Sequence, residues 1–349
     1  MKPRELKYKP GNLRFGSIIG TGGIGSGKFF ILNGNHTLGR EESRSGHFLD
    51  MNDYCKQHII LHYVKVLLGS AFPVIPLGKI GDDDIGQTLF REMSEAGFVM
   101  KWLEIVPGVS TLFSFCFYYP DGNGGNLTTD NSASSLVDPG YIERAFPEIK
   151  NPGSGGIIMA APEVPLVARK KLLELGKQSG FFCSASFTTG EIPFALEHDN
   201  IKNIDLIAIN IDEASAVAGI TAGKTDKLSV VQSAIGKLRL FNKEIMVSVT
   251  AGKDGSWCWD AGQLNYFPAI DARPVSTAGA GDAFFSGLLC GIALGLHLFD
   301  AQQLASLVAG LSIGSPNAIH KGIDRHSLRE FSEASEMIYS DSIIKLLEE

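Results

Sequence analysis

The segment that decides the fold runs from Ser276 to Leu289 and reads STAGAGDAFFSGLL. Its small residues let the backbone approach an anion closely, and the apolar run after them predicts that they form the first turn of a helix. The free N–H groups and the positive dipole end of such a turn favour a phosphate or a developing negative charge. Asp282 lies in the same turn, where a carboxylate is unfavourable beside a bound anion, so we interpret it as a working base. A plain helix start with an acidic first turn is the alternative interpretation.

Strands alternate with helices through the second half of the chain. The predicted strands are 156–160, 181–185, 206–210 and 245–250, followed by a meander over 256–260 and 264–268. The predicted helices are 164–178, a short one from Ala214, 229–241, 280–294, 301–313 and 327–347. This alternation indicates an α/β fold in which a mostly parallel sheet is covered by helices on both faces.

Two predicted hairpins interrupt this alternation in the first half. In one, segments 29–32 and 37–38 flank the turn signal Asn33-Gly34-Asn35; in the other, the aromatic segment 111–119 leads through a turn to 127–131. Helices over 53–68 and 85–96 and a strand over 74–77 lie between them. We interpret the hairpins as a small β lid, about residues 28–48 and 108–132, within a single domain covering residues 1–349.

Composition narrows the class of protein. The formal net charge of −7 over 349 residues argues against a general nucleic-acid binder, which normally presents a basic face. The five cysteines are scattered and form no C-x-x-C pair, which favours a reducing cytoplasm over a disulfide framework or a zinc ribbon. No apolar run is long enough to span a membrane.

The glycine-rich segment 20–25, GTGGIG, fits a dinucleotide-binding fingerprint, and residues 22–28 fit most of a P-loop. Both motifs need a helix N-terminus to bind an anion, but residues 29–32 are predicted to form a strand. Phe29 also replaces the hydroxyl that a P-loop uses to hold magnesium. We therefore expect a close-packed turn at the mouth of a substrate cleft.

Two segments that follow predicted strands are candidate ligand sites, because ligands bind at the carboxyl ends of strands in open α/β sheets. Asn210 and Glu213 follow one strand, where they either cap a helix or hold magnesium through water. Thr250, Gly252 and Gly255 follow the next, where they either form a turn or bind the phosphate and ribose of a nucleotide.

Two other clusters have simpler interpretations. His58 and His62 have helical spacing for zinc, but without further ligands packing histidines are favoured. The acidic residues 82–84 are interpreted as a capped helix start.

Together these motifs resemble the PfkB, or ribokinase-like, family of carbohydrate kinases. Residues 276–282 match the family's D-T-x-G-A-G-D signature except at Ser276, and the family's N-x-x-E and T-x-G-x-x-G elements match 210–213 and 250–255. Residues 78–86 are similar to its V-G-x-D-x-x-G segment. The four elements occur in the family's order.

The chain departs from the family in the sugar-binding half. Residues 50–56, DMNDYCK, lack the usual glycine pair, residues 20–27 lack the acidic residue that often follows the first strand, and residues 184–186 replace an Asp-Pro-Asn-like end. These departures leave the identity of the substrate open.

The resemblance implies a three-layer α/β/α sandwich with a β lid, and an ATP-dependent kinase acting on an alcohol group of a sugar or polyol. Asp282 would be the general base, and the backbone amides of Ala278, Gly279, Ala280 and Gly281 an anion hole. Thr250, Gly252, Gly255, Thr277 and Ala278 would bind ATP, and Asn210 and Glu213 would hold Mg²⁺. Asp271 is a candidate for a monovalent-cation site, such as one for K⁺.

Alternatives remain at this stage. A nucleoside kinase of the same fold could stack a base on Phe113, Phe115 or Phe117, although strand residues of this kind more often belong to a core. A nicotinamide-dependent oxidoreductase would use residues 20–25. The chain could also be a catalytically silent sugar-binding protein. An exposed lid strand could pair across a homodimer.

Overall fold

A computed structural model describes residues 3–121, 123–149, 155–221 and 225–348, which form two β-sheets and eleven α-helices. The strands are β1 (Ile18–Thr21), β2 (Gly25–Leu32), β3 (Gly46–Tyr54), β4 (Val74–Gly81), β5 (Leu103–Val106), β6 (Leu112–Tyr118), β7 (Gly124–Thr128), β8 (Ile157–Ala160), β9 (Phe182–Ala185), β10 (Leu206–Asn210), β11 (Met246–Thr250), β12 (Ser256–Asp260) and β13 (Gln263–Phe267). The helices are α1 (Lys56–Leu68), α2 (Asp84–Glu95), α3 (Pro139–Ile149), α4 (Leu166–Gln178), α5 (Ile192–Glu197), α6 (Ile211–Ala218), α7 (Lys227–Leu238), α8 (Ala280–Ala293), α9 (Leu298–Ser312), α10 (Arg325–Ala334) and α11 (Asp341–Leu347).

The large sheet has nine strands in the order β13-β12-β11-β10-β9-β8-β1-β4-β5. Neighbouring strands pair in parallel, except that β12 is antiparallel to both β11 and β13. The carboxyl ends of β1, β8, β10 and β11 therefore share one edge of the sheet, where their following loops can build a common site.

Helices cover both faces of this sheet. One apolar core joins it to α1, α2 and α8–α11, and a second core joins it to α3–α7. Successive residues of one strand enter opposite cores, as Ile18 and Ile19 of β1 do. The predicted three-layer α/β/α sandwich is confirmed.

Helix α8 is almost fully buried, from Ala283 to Ala293. Its two interior glycines face α9: a Cβ on Gly287 would lie 2.5 Å from the Ala305 Cα, and a Cβ on Gly291 would lie 2.5 Å from the Ala301 Cβ. The two helices therefore approach more closely than any larger side chain at these positions allows, and this contact fixes α8 beneath the cleft.

The second sheet is the lid, with the strand order β3-β2-β6-β7. The two outer pairs are antiparallel, whereas β2 and β6 pair in parallel and join the two hairpins, with Gly25 opposite Leu112. The glycine-rich segment leads into β2, as predicted, and not into the helix that a dinucleotide fingerprint or a P-loop requires.

The tight turn predicted at Asn33–Asn35 is wrong. Residues 37–38 are not in a strand, and β2 and β3 are connected by residues 33–45. Arg44 holds the loop in place: its Nε binds Glu42 of the same loop at 2.6 Å, and its guanidinium lies over the ring of Tyr119 in the second hairpin. The turn signal at Asn33-Gly34 was therefore overridden by contacts with the second hairpin.

Other boundaries differ from the sequence expectation. Helix α1 begins at Lys56 rather than at residue 53, because β3 continues to Tyr54. The single C-terminal helix predicted over 327–347 is wrong, since α10 ends where the Ser335 hydroxyl binds the Ser332 carbonyl. The elements β5, α3 and α5 were not predicted; α3 contains Pro147, a residue that normally argues against a helix interior.

The acidic helix start is confirmed as a cap. Asp83 Oδ1 accepts the Gly86 N–H at 2.8 Å, and its Oδ2 accepts the Thr111 N–H at 2.7 Å. One carboxylate thus caps α2 and anchors the base of the lid. Within the described residues, no helix is both long and apolar enough to cross a membrane.

Candidate active site

The signature segment lies at the N-terminus of α8, as predicted, and two of its glycines have different roles. Gly279, the N-cap, has φ +76°, and a Cβ there would lie 2.7 Å from the Ala318 carbonyl oxygen. Gly281 has no described atom within 4 Å of a Cβ position. Gly279 is therefore required by the backbone, whereas Gly281 leaves the surface of the turn open.

The amides of this turn are not all available to an anion. The Ala280 N–H donates to the Thr277 carbonyl at 3.2 Å, and the Ala278 N–H donates to the Ser276 Oγ at 3.3 Å. Among the described residues, no acceptor is found for the amides of Gly279, Gly281 and Asp282. Of the amides predicted to form an anion hole at 278–281, those of Gly279 and Gly281 are therefore left without an acceptor in the described structure.

Asp282 faces a lysine that the sequence analysis missed. Its Oδ2 lies 3.7 Å from the Lys56 Nζ, and the two side chains are 15% and 33% exposed. Burial raises the pKa of Asp282 although Lys56 opposes the shift, and the charge of Asp282 raises the pKa of Lys56. Lys56 is the first residue of α1 and belongs to segment 50–56, which lacks the family's usual glycine pair. That unusual segment was the one sequence feature that could have pointed to Lys56.

Glu163, also missed, follows β8 with φ +77°, a backbone conformation that non-glycine residues rarely adopt. Its Oε2 accepts the Lys56 N–H at 3.0 Å, and a Cβ on Gly23 would lie 2.3 Å from the same oxygen. Burial raises the pKa of Glu163 to about 7. Backbone strain of this kind at the end of a sheet strand is typical of a functional position. The lack of a side chain at Gly23 leaves space for the Glu163 carboxylate.

Three cavities meet at this helix terminus. A donor cavity of about 550 Å³ is lined by Thr250, Gly252, Gly255, Asp271, Thr277, Ala280 and Gly281, among others. A central cavity of about 250 Å³ is lined by Lys56, Asn210, Glu213, Thr250, Gly279, Gly281 and Asp282, among others. An acceptor cavity of about 360 Å³ beneath the lid is lined by Asp53, Lys56, Glu163, Ala278, Gly279 and Asp282, among others. Every predicted site residue lines at least one of them.

The family assignment follows from this geometry and from the sequence. The pfkB family of carbohydrate kinases matches residues 63–324. The chain belongs to this family. An uncharacterized sugar kinase of Escherichia coli (strain K12), YegV, is 32% identical over 141 residues, which are 40% of this chain and 41% of YegV. The deoxyribokinase of Salmonella typhi is 24% identical over 211 residues, 60% of this chain and 66% of that enzyme. These matches span less than two thirds of either relative.

A solved structure supports the fold over a longer stretch. Ribokinase from Cryptococcus neoformans var. grubii serotype A, in complex with ADP, superposes with a TM-score of 0.72 and 19% identity, covering 91% of this chain and 99% of that one. This pfkB-family chain therefore has the ribokinase fold.

Asn210 and Glu213 of this pfkB-family protein form a capping box at the start of α6. The Asn210 side-chain oxygen accepts the N–H groups of Asp212 and Glu213, both at 2.9 Å, and Glu213 Oε2 accepts the Asn210 N–H at 2.8 Å. Because Asn210 already accepts two bonds, the side chain left to face a cation is that of Glu213. Burial raises the pKa of Glu213 to about 7, although the Asn210 N–H and the charge of Lys56 oppose the shift.

These donors fit magnesium. In the described part of the chain, no group of three or more His, Cys, Asp or Glu side chains could hold a metal ion by itself. Magnesium usually keeps several waters and is bound through one or two carboxylates together with substrate phosphates. The half-buried carboxylate of Glu213 in the central cavity suits that mode.

We expect the raised pKa of Glu213 to make stability depend on pH. A carboxyl with a raised folded-state pKa contributes stability below its unfolded pKa of about 4.3 that is lost as the pH rises through the folded value. In a chelator, the free energy of unfolding should therefore fall between about pH 5 and about pH 8, with at most about 3 kcal/mol from this group.

Urea unfolding of the wild-type protein and of Glu213→Gln across this range measures that contribution. The glutamine oxygen can still accept the Asn210 N–H, so the cap is kept. The variant should lose part of the slope, and equal slopes would contradict the pKa assignment.

Proposed function

We propose that this protein is an ATP-dependent kinase that phosphorylates an alcohol group of a sugar or sugar-like polyol. One observation supports this most directly: Asp282 lines both the central and the acceptor cavity, at the helix terminus that also borders the donor cavity. A hydroxyl in the acceptor cavity and a phosphate in the central cavity would thus meet at one carboxylate.

In the proposed reaction, the acceptor oxygen forms a bond to the γ-phosphorus while the bond from that phosphorus to ADP breaks. Asp282 takes the proton of the attacking hydroxyl. A positioned general base typically contributes about 10²–10⁴-fold. The raised pKa of Asp282 brings it closer to the working pH, and the charge of Lys56 limits that rise.

The negative charge of the transferred group would be stabilised by fixed donors. The amides of Gly279, Gly281 and Asp282 and the ammonium of Lys56 all border the path between the cavities. Removing one such donor typically costs about 3 kcal/mol of transition-state stabilisation. Magnesium, when bound beside Glu213, supplies neutralisation of phosphate charge.

The donor cavity suits a nucleotide. Thr250 supplies a hydroxyl, Gly252 has positive φ and an open Cβ position that admits a close approach, and Thr277 lies next to the helix terminus. Gly255 also has positive φ, and the Phe267 carbonyl oxygen lies 2.4 Å from its Cβ position, so the turn itself requires this glycine. The rest of the cavity wall is mostly apolar, as expected for a surface that contacts the adenine ring of ATP, and it includes Ile270, Ala309 and Ile313. We propose that Asp271, on the same wall, contributes to a site for a monovalent cation such as K⁺.

We propose that the lid, predicted over about 28–48 and 108–132, closes over the acceptor within a single domain of residues 1–349. Closure would exclude water and so favour transfer to the substrate over hydrolysis of ATP. Both lid hairpins are insertions between elements of the large sheet, which supports one domain rather than two.

The phenylalanines of β6 do not support a nucleoside acceptor. Ser114, Cys116 and Tyr118 line the acceptor cavity, so alternation places Phe113, Phe115 and Phe117 on the outer lid face. They are thus not positioned to stack a base. The carboxylate of Asp282 between two formed cavities also weighs against a silent sugar-binding protein.

We further propose a reducing, cytoplasmic location, because all five cysteines are free thiols.

Asp282→Asn should leave folding and ATP binding nearly intact and lower turnover by about 10²–10⁴-fold, because the amide cannot take the proton. Asp300→Asn is the matched control, since Asp300 also lies in the first turn of a helix but borders none of the three cavities. Coupled ADP release over a panel of sugars and nucleosides gives the readout. Near-normal turnover of Asp282→Asn would show that another group is the base.

Gly281→Val should fold, because the turn is open there, but its side chain would block the phosphate. We expect turnover to fall by at least about 10²-fold, as for the loss of one anion-hole donor. Gly236→Val in α7 is the control, since its Cβ position is equally open. Unchanged kinetics of Gly281→Val would mean that this amide is not used.

The lid also offers a surface for a homodimer, which we propose. Phe30, Phe48 and Phe115 form a ring cluster on its outer face, where Phe48 is 60% and Leu127 is 63% exposed. An exposed apolar patch on a sheet with open edges is typical of an association site.

Light scattering after gel filtration should detect a dimer of the wild-type protein and a monomer of Phe48→Glu/Leu127→Glu. Phe194→Glu, at an exposed aromatic residue of α5, should remain dimeric. A monomeric wild-type protein would contradict this proposal.

A further inference from the structure

The acceptor cavity is rich in carboxylates. Among the described residues, its titratable lining groups include the carboxylates of Asp53, Glu163 and Asp282 but only one ammonium, that of Lys56. If Glu163 is protonated, the two remaining carboxylates still outnumber that ammonium. The cavity therefore presents a negative potential to whatever enters beneath the lid.

The Lys56 ammonium already has a carboxylate partner. Lys56 Nζ lies 3.7 Å from Asp282 Oδ2, and its backbone N–H donates to Glu163. It also lines the central cavity, where the transferred phosphate would lie. Lys28, the lysine of the lid strands, cannot add to the acceptor side, since its Nζ lies 3.4 Å from Asn52 Oδ1 on the outer lid face.

Asp53 is built into the lid as a hydrogen-bond acceptor. It is 7% exposed, and its Oδ2 accepts the Ser114 hydroxyl at 2.5 Å and the Cys116 thiol at 3.4 Å. No donor to its Oδ1 is found among the described residues. A carboxylate held in this way offers its second oxygen to a hydroxyl or amine of the ligand.

This geometry also explains why position 27 of β2 is a glycine. A Cβ on Gly27 would lie 2.1 Å from the Ser114 Oγ and 2.9 Å from Asp53 Oδ2. Any larger residue at position 27 would displace that pair. The glycine on β2 and the carboxylate on β3 therefore belong to one arrangement.

We propose that Asp53 anchors a hydroxyl of the acceptor and that the cavity takes an uncharged polyol while rejecting sugar phosphates and sugar acids. This inference rests on the proposed function, since it concerns the same acceptor site. A phosphate or carboxylate group on the acceptor would lie near the carboxyl groups of Asp53 and Glu163. No described lining residue besides Lys56 could offer it a positive charge.

Direct binding tests this charge preference without depending on turnover. Calorimetry of the wild-type protein compares D-ribose with D-ribose 5-phosphate, D-fructose with D-fructose 6-phosphate, and D-glucitol with D-gluconate. At least one neutral ligand should bind at least about tenfold more tightly than its charged partner. Equal or tighter binding of the charged partners, or no binding of any neutral ligand, would overturn the proposal.

Asp53→Asn tests the anchor. Loss of hydrogen bonds to a charged acceptor should weaken binding of the neutral ligand by about 10- to 100-fold and narrow the difference between neutral and charged ligands. Asp50→Asn, an exposed residue of the same strand, should bind like the wild-type protein. Unfolding midpoints of all three proteins separate lost binding from lost folding. Unchanged binding by a folded Asp53→Asn protein would overturn the role of Asp53.

ADP release measured on the same ligands separates this inference from the proposed function. A neutral ligand that binds preferentially but releases no ADP contradicts the kinase activity and leaves the charge preference standing. Release of ADP with the sugar phosphates or gluconate in preference to their neutral partners supports a kinase and overturns the charge preference.

Discussion

One ammonium group surrounded by carboxylates sets the electrostatics of the whole cleft. Lys56 lies beside Asp282, and the charges of Asp282, Glu163 and Glu213 all raise its pKa. Burial raises the pKa values of those three carboxyls, and neighbouring carboxylates add to the rise although Lys56 opposes it. The metal ion and the uncharged acceptor that we propose would both be compatible with such a site.

Helix α8 holds the groups of the cleft in a fixed position. The helix is buried against α9 through Gly287 and Gly291, so its first turn cannot shift without opening the core. The three cavities meet at that turn. A rigid terminus with available amides and a carboxylate suits phosphoryl transfer, in which positioning and charge stabilisation supply most of the catalysis.

The sequence predicted those parts of the molecule that are determined locally. Helix α8, the capped helix start at 82–84, the helix start considered at 210–213, and the alternation of strands and helices follow from short-range patterns, and the structure has all of them. Asp53, Lys56 and Glu163 could not be identified in this way, because they meet only when the lid sheet, α1 and the strained loop after β8 are assembled. For the same reason the tight turn at Asn33-Gly34 was predicted wrongly: pairing of β2 with β6 and contacts between the hairpin tips outweigh the local turn preference.

The division of the cavities along the chain has an evolutionary consequence. The donor cavity is lined by residues 250–313, whereas most of the acceptor cavity comes from residues 53–163 and only its floor from the start of α8. Substitutions that change the acceptor can therefore accumulate in the first half of the chain without altering nucleotide binding in the second. A lineage built on this plan can exchange one acceptor for another while it inherits its phosphoryl donor unchanged.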